Sequence, residues 1–175
     1  MQGSEPLPPS AAGTSKPCCA MPCRKLLFAT PPDISATLLR WTLAVVMFPH
    51  GAQKVLGWWK GPGLEGTLSS FTGMGIPTVF AYLAIAAEFI GPIALAIGLL
   101  GRVAAFGIGC VMAVAIAMVH APNGFFMNWA GNQKGEGFEY HILALGIAVA
   151  VMIKGSGAFS LDRLISGEGR KSCET

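Results

Sequence analysis

The chain has 175 residues, of which 53% are hydrophobic and only 12% are charged, and its formal net charge at pH 7 is +3. Its mean hydropathy of +0.57 and its low charge content exclude an ordinary soluble domain, in which about 25% of residues are charged. The basic residues are not interleaved with aromatic residues as in a nucleic-acid surface, so the composition favours an integral membrane protein.

The first 33 residues are rich in Pro, Ser and Gly, and their longest apolar run is too short for the core of a signal peptide. We expect residues 1–33 to form a disordered cytoplasmic tail. Cys18, Cys19 and Cys23 lack the paired spacing and the histidine partners of a zinc site. Residues 166–175 are expected to form a second flexible tail.

Four apolar segments between these tails come close to the roughly 20 helical residues that cross a bilayer core of about 30 Å. They cover residues 35–57, 77–100, 102–120 and 138–153. Most Lys and Arg residues flank these segments on the side of the two termini, so both termini are expected to be cytoplasmic. The sequence therefore predicts an all-α membrane protein, in which residues 34–165 form a four-transmembrane-helix bundle that includes a short amphipathic C-terminal helix capped by Ser160.

The first span carries Arg40, His50 and Lys54 along one helical stripe. Pro49 is a candidate bend that turns His50 and Lys54 toward the bundle centre. Arg40 is expected to extend to lipid phosphates near the cytoplasmic side, and pairing with Asp33 or with a backbone carbonyl is the alternative.

The second span places Glu88 near mid-membrane on a face of small residues. Pro92 follows four residues later and cannot donate the helix bond that the Glu88 carbonyl would otherwise accept. An ionisable group inside a bilayer costs about 3 kcal/mol, so Glu88 is expected to mark a pathway or a binding site. The alternative is an ion pair with Lys54 or a histidine that only holds the helices in register.

The third span ends at His120, which follows Gly109, Ala113 and Ala117 on a small-residue face predicted to contact protein. For His50 and His120 the alternative is a position near the interface, where the imidazole reaches water or headgroups.

In the fourth span, Glu139 and His141 are two residues apart, so at most one of them is expected to point inward. Aromatic residues at the same end of the spans are expected to form an interfacial belt; they include Trp58, Trp59, Trp129 and Tyr140.

Together the polar residues predict a polar cup that opens outward. The candidate catalytic residues are Glu88 and His50; the candidate ligand-binding residues are Lys54, His120, Glu139, His141 and Trp58; and Arg40, Pro49 and Pro92 are expected to be structural or lipid-facing. Haem and metal are disfavoured, because the chain has neither a C-x-x-C-H attachment sequence nor a Glu-x-x-His pair. A quinone fits better, since its carbonyls accept hydrogen bonds from His or Lys, although a proton relay or a lipid headgroup would use the same residues.

Several motifs resemble the DoxX family: R-W-T-L-A in the first span, H-G-A-Q-K near its end, A-A-E-F-I-G-P in the second, G-E-G-F-E-Y-H before the fourth and S-L-D-R after it. The resemblance covers roughly residues 34–165. It implies a small four-helix protein of the bacterial inner membrane, with some relatives linked to thiosulfate:quinone oxidoreductase complexes and others to redox-stress systems. The polar positions that it carries over are Arg40, His50, Gly51, Lys54, Glu88, Gly137 and Glu139.

These observations lead to two functional hypotheses. The leading one is a redox-associated membrane subunit that binds quinone or a similar lipid-soluble partner in the polar cup, where Glu88 and His50 handle protons. The alternative is a non-catalytic membrane scaffold that recruits soluble redox or stress enzymes through its cytoplasmic ends. Transport of protons or small solutes would require a path through the apolar inner half.

Overall fold

The computed structural model describes residues 28–166, and all regular structure among them is helical, as the sequence predicts. The four longest helices lie in the four apolar segments and are α1 (Ile34–Leu56), α3 (Thr78–Ile97), α4 (Gly101–Ala115) and α5 (Glu139–Lys154). Two shorter helices are α2 (Gly63–Gly73) and α6 (Leu161–Ser166). Most of both predicted tails, residues 1–27 and 167–175, lies outside the described residues.

The four long helices form one bundle. α1 and α4 lie opposite each other, and each packs against both α3 and α5. Apolar side chains from all four helices meet in the centre, among them Leu43, Leu95, Ile108 and Val151. Large apolar side chains also cover the outside, which is the exterior expected of a bundle surrounded by lipid. Below, the two ends of the bundle are called the α2 end and the α6 end, after the short helix at each.

Two helical segments of the described chain, Thr78–Ile97 and Gly101–Asn123, are long and apolar enough to cross a membrane by length and composition. The second of these is α4 extended by a π-helical turn at Ile116–His120 and a 3₁₀ turn at Ala121–Asn123. α5 has 16 residues and is too short to meet the same length criterion.

Helix α2 and the 3₁₀ turn at Trp58–Lys60 were not predicted. Leu64, Leu68 and Phe71 recur at intervals of four and three residues, which is the signal of an amphipathic helix. α2 has only 11 residues, too few to cross a membrane, so the length of apolar segments does not predict it.

Asp33 begins α1 and joins it to α5. Its carboxylate accepts hydrogen bonds from the backbone N–H groups of Ser35 (2.8 Å) and Ala36 (3.4 Å), as an N-cap does. It also lies 2.7 Å from the Lys154 ammonium. The ammonium and the Ser35 hydroxyl hold the pKa of Asp33 well below its usual range, so the carboxylate is charged at neutral pH.

Arg40 does not extend to lipid, and the alternative prediction of a contact with backbone carbonyls is confirmed. Its side chain is fully buried, and its guanidinium donates hydrogen bonds to the backbone carbonyls of Leu95, Ala96 and Phe159. The first two carbonyls belong to the last turn of α3, where backbone oxygens lack helical partners and the helix dipole favours a cation. These carbonyls are within reach inside the bundle, so the side chain does not extend to lipid phosphates.

Asp162 completes the α6 end by holding the start of α4. Its buried carboxylate accepts hydrogen bonds from the backbone N–H groups of Leu100 (2.7 Å) and Gly101 (3.0 Å) and from the Ser156 hydroxyl (2.5 Å). α6 lies at the predicted position, with the Arg163 N–H 3.4 Å from the Ser160 hydroxyl. The S-L-D-R segment therefore locks the α3–α4 connection to the rest of the bundle.

The backbones of α1 and α3 pack directly against each other at Gly51. A Cβ atom at this position would overlap the carbonyl oxygen of Glu88 and the Cα of Phe89. Pro92 is buried within α3 and has no N–H for the Glu88 carbonyl, which faces the Gly51 backbone instead. Pro49 lies inside α1, which continues as one helix to Leu56.

Replacing Asp162 with alanine should destabilise the bundle, because two amides at the start of α4 and one buried hydroxyl lose their acceptor. We expect the free energy of unfolding in detergent to fall by about 2–4 kcal/mol. Thermal denaturation followed by tryptophan fluorescence measures this change. Leu164→Ala is the control, because Leu164 is 74% exposed on the same helix. Equal melting temperatures for Asp162→Ala and the wild type would contradict the role of Asp162.

Gly51→Ala should force α1 and α3 apart, since the added Cβ meets backbone atoms that cannot rotate away. Overpacking of this kind costs about 1–3 kcal/mol, and we expect a corresponding loss of thermal stability. Gly146→Ala on α5 is the matched control, because a Cβ there meets nothing within 4 Å. A Gly51→Ala protein as stable as the Gly146→Ala protein would show that this helix contact is looser than described.

Candidate functional site

An ion pair between α1 and α3 lies at the centre of the candidate site. Glu88 is 2% exposed near the middle of α3, and the Lys54 ammonium is 2.5 Å from each of its carboxylate oxygens. A carboxylate buried among apolar side chains is stable only beside a cation or in its protonated form. The structure thus joins two residues that sequence analysis singled out from different spans.

Helix α2 covers the lysine of this pair. The Thr67 hydroxyl donates a hydrogen bond to the backbone carbonyl of Lys54 at 3.1 Å. The Lys54 ammonium also lies 5.6 Å from the centroid of the Phe71 ring, within the range of a cation–π contact. α2 therefore fixes the position of Lys54, a role that the sequence did not reveal because α2 itself was not predicted.

A chain of aromatic rings lies beside the ion pair. The ring centroids of His50 and Tyr140 are 5.8 Å apart, those of Tyr140 and His141 are 5.4 Å apart, and those of His141 and His120 are 4.1 Å apart. The Tyr140 hydroxyl donates a hydrogen bond to the Met47 sulfur at 3.3 Å. We call Lys54, Glu88, His50, Tyr140, His141 and His120 the polar cluster.

Tyr140, which was expected in the interfacial belt, is partly buried and packs against the core of the bundle. The ring lies between His50 and His141 because Tyr140 shares a face of α5 with Ala144 and Ala148, which are buried in the core. The four-residue spacing of these three positions was the available signal. A tyrosine at the start of an apolar span is also typical of the membrane interface, so this spacing alone did not predict where the ring would lie.

His141 is the member of the cluster with an unsatisfied polar atom. The residue is 7% exposed, and its Nδ1 has no hydrogen-bond partner within the part of the chain that the structure describes. An unpaired buried polar atom costs about 1–3 kcal/mol and often marks the place of a bound water or ligand. Of the fourth-span pair, His141 therefore points inward.

His120 contacts protein for a different reason from the predicted one. Ala113 and Ala117 of the small-residue face are exposed, and only Gly109 is buried. His120 instead ends the π-helical turn of α4, a feature often found at functional sites. Its Nδ1 lies 2.8 Å from the Glu136 carbonyl oxygen, so this nitrogen carries a hydrogen and donates it.

The first residues of the G-E-G-F-E-Y-H segment form part of a loop, and its last two residues, Tyr140 and His141, belong to the polar cluster. A Cβ at Gly137 would overlap the Phe126 carbonyl oxygen, so the two segments of the loop are in backbone contact there. The carboxylates of Glu136 and Glu139 accept hydrogen bonds from the backbone N–H groups of Asn128 (2.8 Å) and Met127 (3.3 Å). Glu139 therefore binds loop backbone, and no described contact brings this candidate ligand-binding residue to the ion pair.

Trp58 also lies apart from the polar cluster. It is half exposed, and its ring packs edge-on against Trp59 with the centroids 5.6 Å apart. No described contact joins Trp58 to the Lys54–Glu88 pair, so its predicted role in ligand binding stays a prediction.

A groove of about 990 Å³ runs between α3 and α4. Most of its lining is apolar, and Lys54, Ser70, Glu88 and His120 provide its polar part. The groove connects the polar cluster with the outside of the bundle. Among the described residues, no group of three or more His, Cys, Asp or Glu side chains is arranged to hold a metal ion.

Known proteins resemble the chain over most of its length. The DoxX family model matches residues 35–121. "Putative oxidoreductase CatD" of Bacillus subtilis (strain 168) is 30% identical over 142 residues, which cover 80% of this chain and 92% of CatD. "Inner membrane protein YqjF" of Escherichia coli (strain K12) is 32% identical over 111 residues, which cover 63% of this chain and 80% of YqjF. No solved structure matches the chain significantly.

The family match covers α1 to α4 and so includes His50, Lys54, Glu88 and His120 of the polar cluster. CatD aligns with most of this chain and with nearly all of its own length. These matches confirm the resemblance read from the motifs, and the chain belongs to the DoxX family of membrane proteins.

Proposed function

We propose that this protein is a redox-associated subunit of the bacterial inner membrane that binds a quinone, or a similar lipid-soluble molecule, at the polar cluster. The observation that carries the proposal is the ion pair between the buried Glu88 carboxylate and the partly buried Lys54 ammonium, which lies at the polar part of an apolar groove. The names "Putative oxidoreductase CatD" and "Inner membrane protein YqjF" agree with this assignment.

The proposal includes four membrane-spanning helices. α1 and α5 expose large apolar side chains as α3 and α4 do, for example Val45 (72%) and Leu143 (65%). α1 has 23 residues, which at about 1.5 Å per residue is enough for a bilayer core. α5 is shorter and requires local thinning of the bilayer.

Charge supports one orientation of this bundle. Arg102, Lys154 and Arg163 lie at the α6 end, whereas Lys60 and Lys134 lie in the connections at the α2 end. By the positive-inside rule the α6 end faces the cytoplasm, which places both termini there and the polar cluster toward the outer side.

The polar cluster has the groups that quinone chemistry requires. Lys54 lines the groove, and its ammonium is a hydrogen-bond donor for a carbonyl oxygen of a quinone. A neutral imidazole can donate through only one ring nitrogen, and in His120 that nitrogen already binds the Glu136 carbonyl. Conversion to the quinol takes up two electrons, which a redox partner supplies, and two protons, which Glu88 and His50 transfer. The unpaired Nδ1 of His141 does not line the groove and is a site for a hydrogen bond to a buried water.

A purely structural ion pair between α1 and α3 explains fewer features of the site than a ligand-binding role does. It explains the contact of Lys54 with Glu88, but it requires neither the groove beside the pair nor the unsatisfied nitrogen of His141. The scaffold hypothesis depends on the tail before Asp33 and on the segment after Lys154. Residues 1–27 and 167–175 lie outside the described residues, and Ser160 and Asp162 of the described segment are buried within the bundle. A binding site at the polar cluster is therefore the function that the described residues support best.

Quinone binding should depend on Glu88 and His50. In purified protein we expect Glu88→Gln and His50→Ala each to weaken decylubiquinone binding by about tenfold, the effect of one lost hydrogen bond to a charged group. Tryptophan quenching or equilibrium dialysis measures the affinity. Glu65→Gln is the matched control, because Glu65 is an exposed carboxylate on α2. Unchanged affinity in both cluster variants would exclude this site.

The two ends of the bundle should differ in their access to the outside of the cell. In a cysteine-free background, Ala130→Cys places a thiol in the exposed loop at the α2 end, and Leu164→Cys places one at the α6 end. A membrane-impermeant maleimide added to intact cells should label only the first, and permeabilised cells should show labelling of both. Labelling of Leu164→Cys in intact cells would reverse the proposed orientation.

A further inference from the structure

We infer that the ligand reaches the polar cluster sideways from the lipid through the groove between α3 and α4, and that it is a neutral ring carrying a prenyl or alkyl tail. This inference rests on the proposed function. It assigns the groove as the site of the tail and the Lys54–Glu88 pair as the site of the ring.

The position of the groove supports lateral access. Its walls include Phe80 and Leu83 of α3 and Phe106 of α4, whose side chains are 62%, 59% and 60% exposed on the outer face of the bundle. This face is apolar, so in a membrane it contacts acyl chains. A lipid-soluble molecule therefore enters the groove without passing through water.

Small residues bring α3 and α4 into contact at one point beside the groove. A Cβ at Gly107 would lie 3.2 Å from the Ala87 Cβ, so the two helices already touch at this point. The groove extends from there along Ala84 and Val111 to His120. Ala84 lies one helical turn before Glu88, and helical side chains lean toward the N-terminus, so Ala84 borders the access to the Glu88 carboxylate.

The charge of the groove favours a neutral ring. Lys54 is the lysine among the lining residues, and Glu88 already balances its charge. The phosphate of a lipid headgroup would be desolvated here without a free cation, which is costly. A quinone carbonyl needs only a donor, and the Lys54 ammonium has three N–H groups.

The size of the groove fits a ring with part of a tail. Its volume of about 990 Å³ is near the upper end of ligand pockets, which span about 300–1,000 Å³. The lining beyond the polar cluster is apolar along both helices, as an isoprenoid or alkyl chain requires. The groove therefore suits one tailed molecule with its ring at the pair.

Cys110 provides a natural reporter, because it is exposed and lines the groove. In full-length protein whose other cysteines are serine, we expect saturating decylubiquinone to slow the reaction of Cys110 with N-ethylmaleimide by about fivefold, in line with its occupancy. Decylbenzene, which has the tail and a ring without carbonyls, should not protect the thiol. Equal protection by both compounds would show that the groove only holds acyl chains.

A second experiment uses a substitution that blocks the groove. Ala84→Trp should cover Glu88 from the groove and weaken decylubiquinone binding by about tenfold or more. Val79→Trp is the matched control, because Val79 is 68% exposed on α3 and does not line the groove.

The outcomes separate the two proposals. If wild-type protein binds decylubiquinone with the expected dependence on Glu88, but Cys110 stays unprotected and Ala84→Trp binds normally, lateral access is wrong and the proposed function stands. If the wild type does not bind decylubiquinone at all, the proposed function fails and the inference fails with it.

Discussion

The need to keep two opposite charges inside an apolar bundle organises the rest of the structure. Glu88 is buried in the middle of α3, so it requires the ammonium of Lys54 from α1. That pairing in turn requires α1 and α3 to approach closely, which the bare Gly51 backbone permits. It also requires a cover for Lys54, and the Thr67 and Phe71 side chains of α2 provide it. The ion pair, the helix crossing and the short helix are therefore parts of one arrangement.

The two ends of the bundle use charged residues in different ways. At the α6 end they bind helix ends: Arg40 binds the last carbonyls of α3, Asp162 binds the first amides of α4, and Asp33 caps α1. The Nε atoms of Arg40, Arg102 and Arg163 have no hydrogen-bond partner among the described residues. Such contacts fix helix ends and leave few groups for chemistry. At the α2 end, His141 keeps an unpaired nitrogen and Lys54 lines a groove. The charged residues at the α6 end therefore connect helix ends, whereas Lys54 and Glu88 toward the α2 end line the groove.

The G-E-G-F-E-Y-H motif shows that one short segment can contain residues with different structural roles. Its second glycine permits close contact of the loop backbone, and its two glutamates bind loop amides. Only its last two residues, Tyr140 and His141, enter the polar cluster. A carboxylate in a motif of a membrane protein is therefore not by itself a candidate proton donor, because exposed loop amides compete for it.

The sequence by itself determined the helical class, the positions of the long helices and the DoxX family, because apolar length and motif spacing are local properties of the chain. It also singled out Glu88, Lys54, His50 and His141, since ionisable residues in apolar segments are rare. Only the tertiary structure decided which of them meet. Arg40 turned inward because α3 carbonyls lay within reach, Glu139 went to the loop, and Tyr140 joined the cluster. These outcomes depend on groups more than ten residues away along the chain, and sequence periodicity describes one helix at a time.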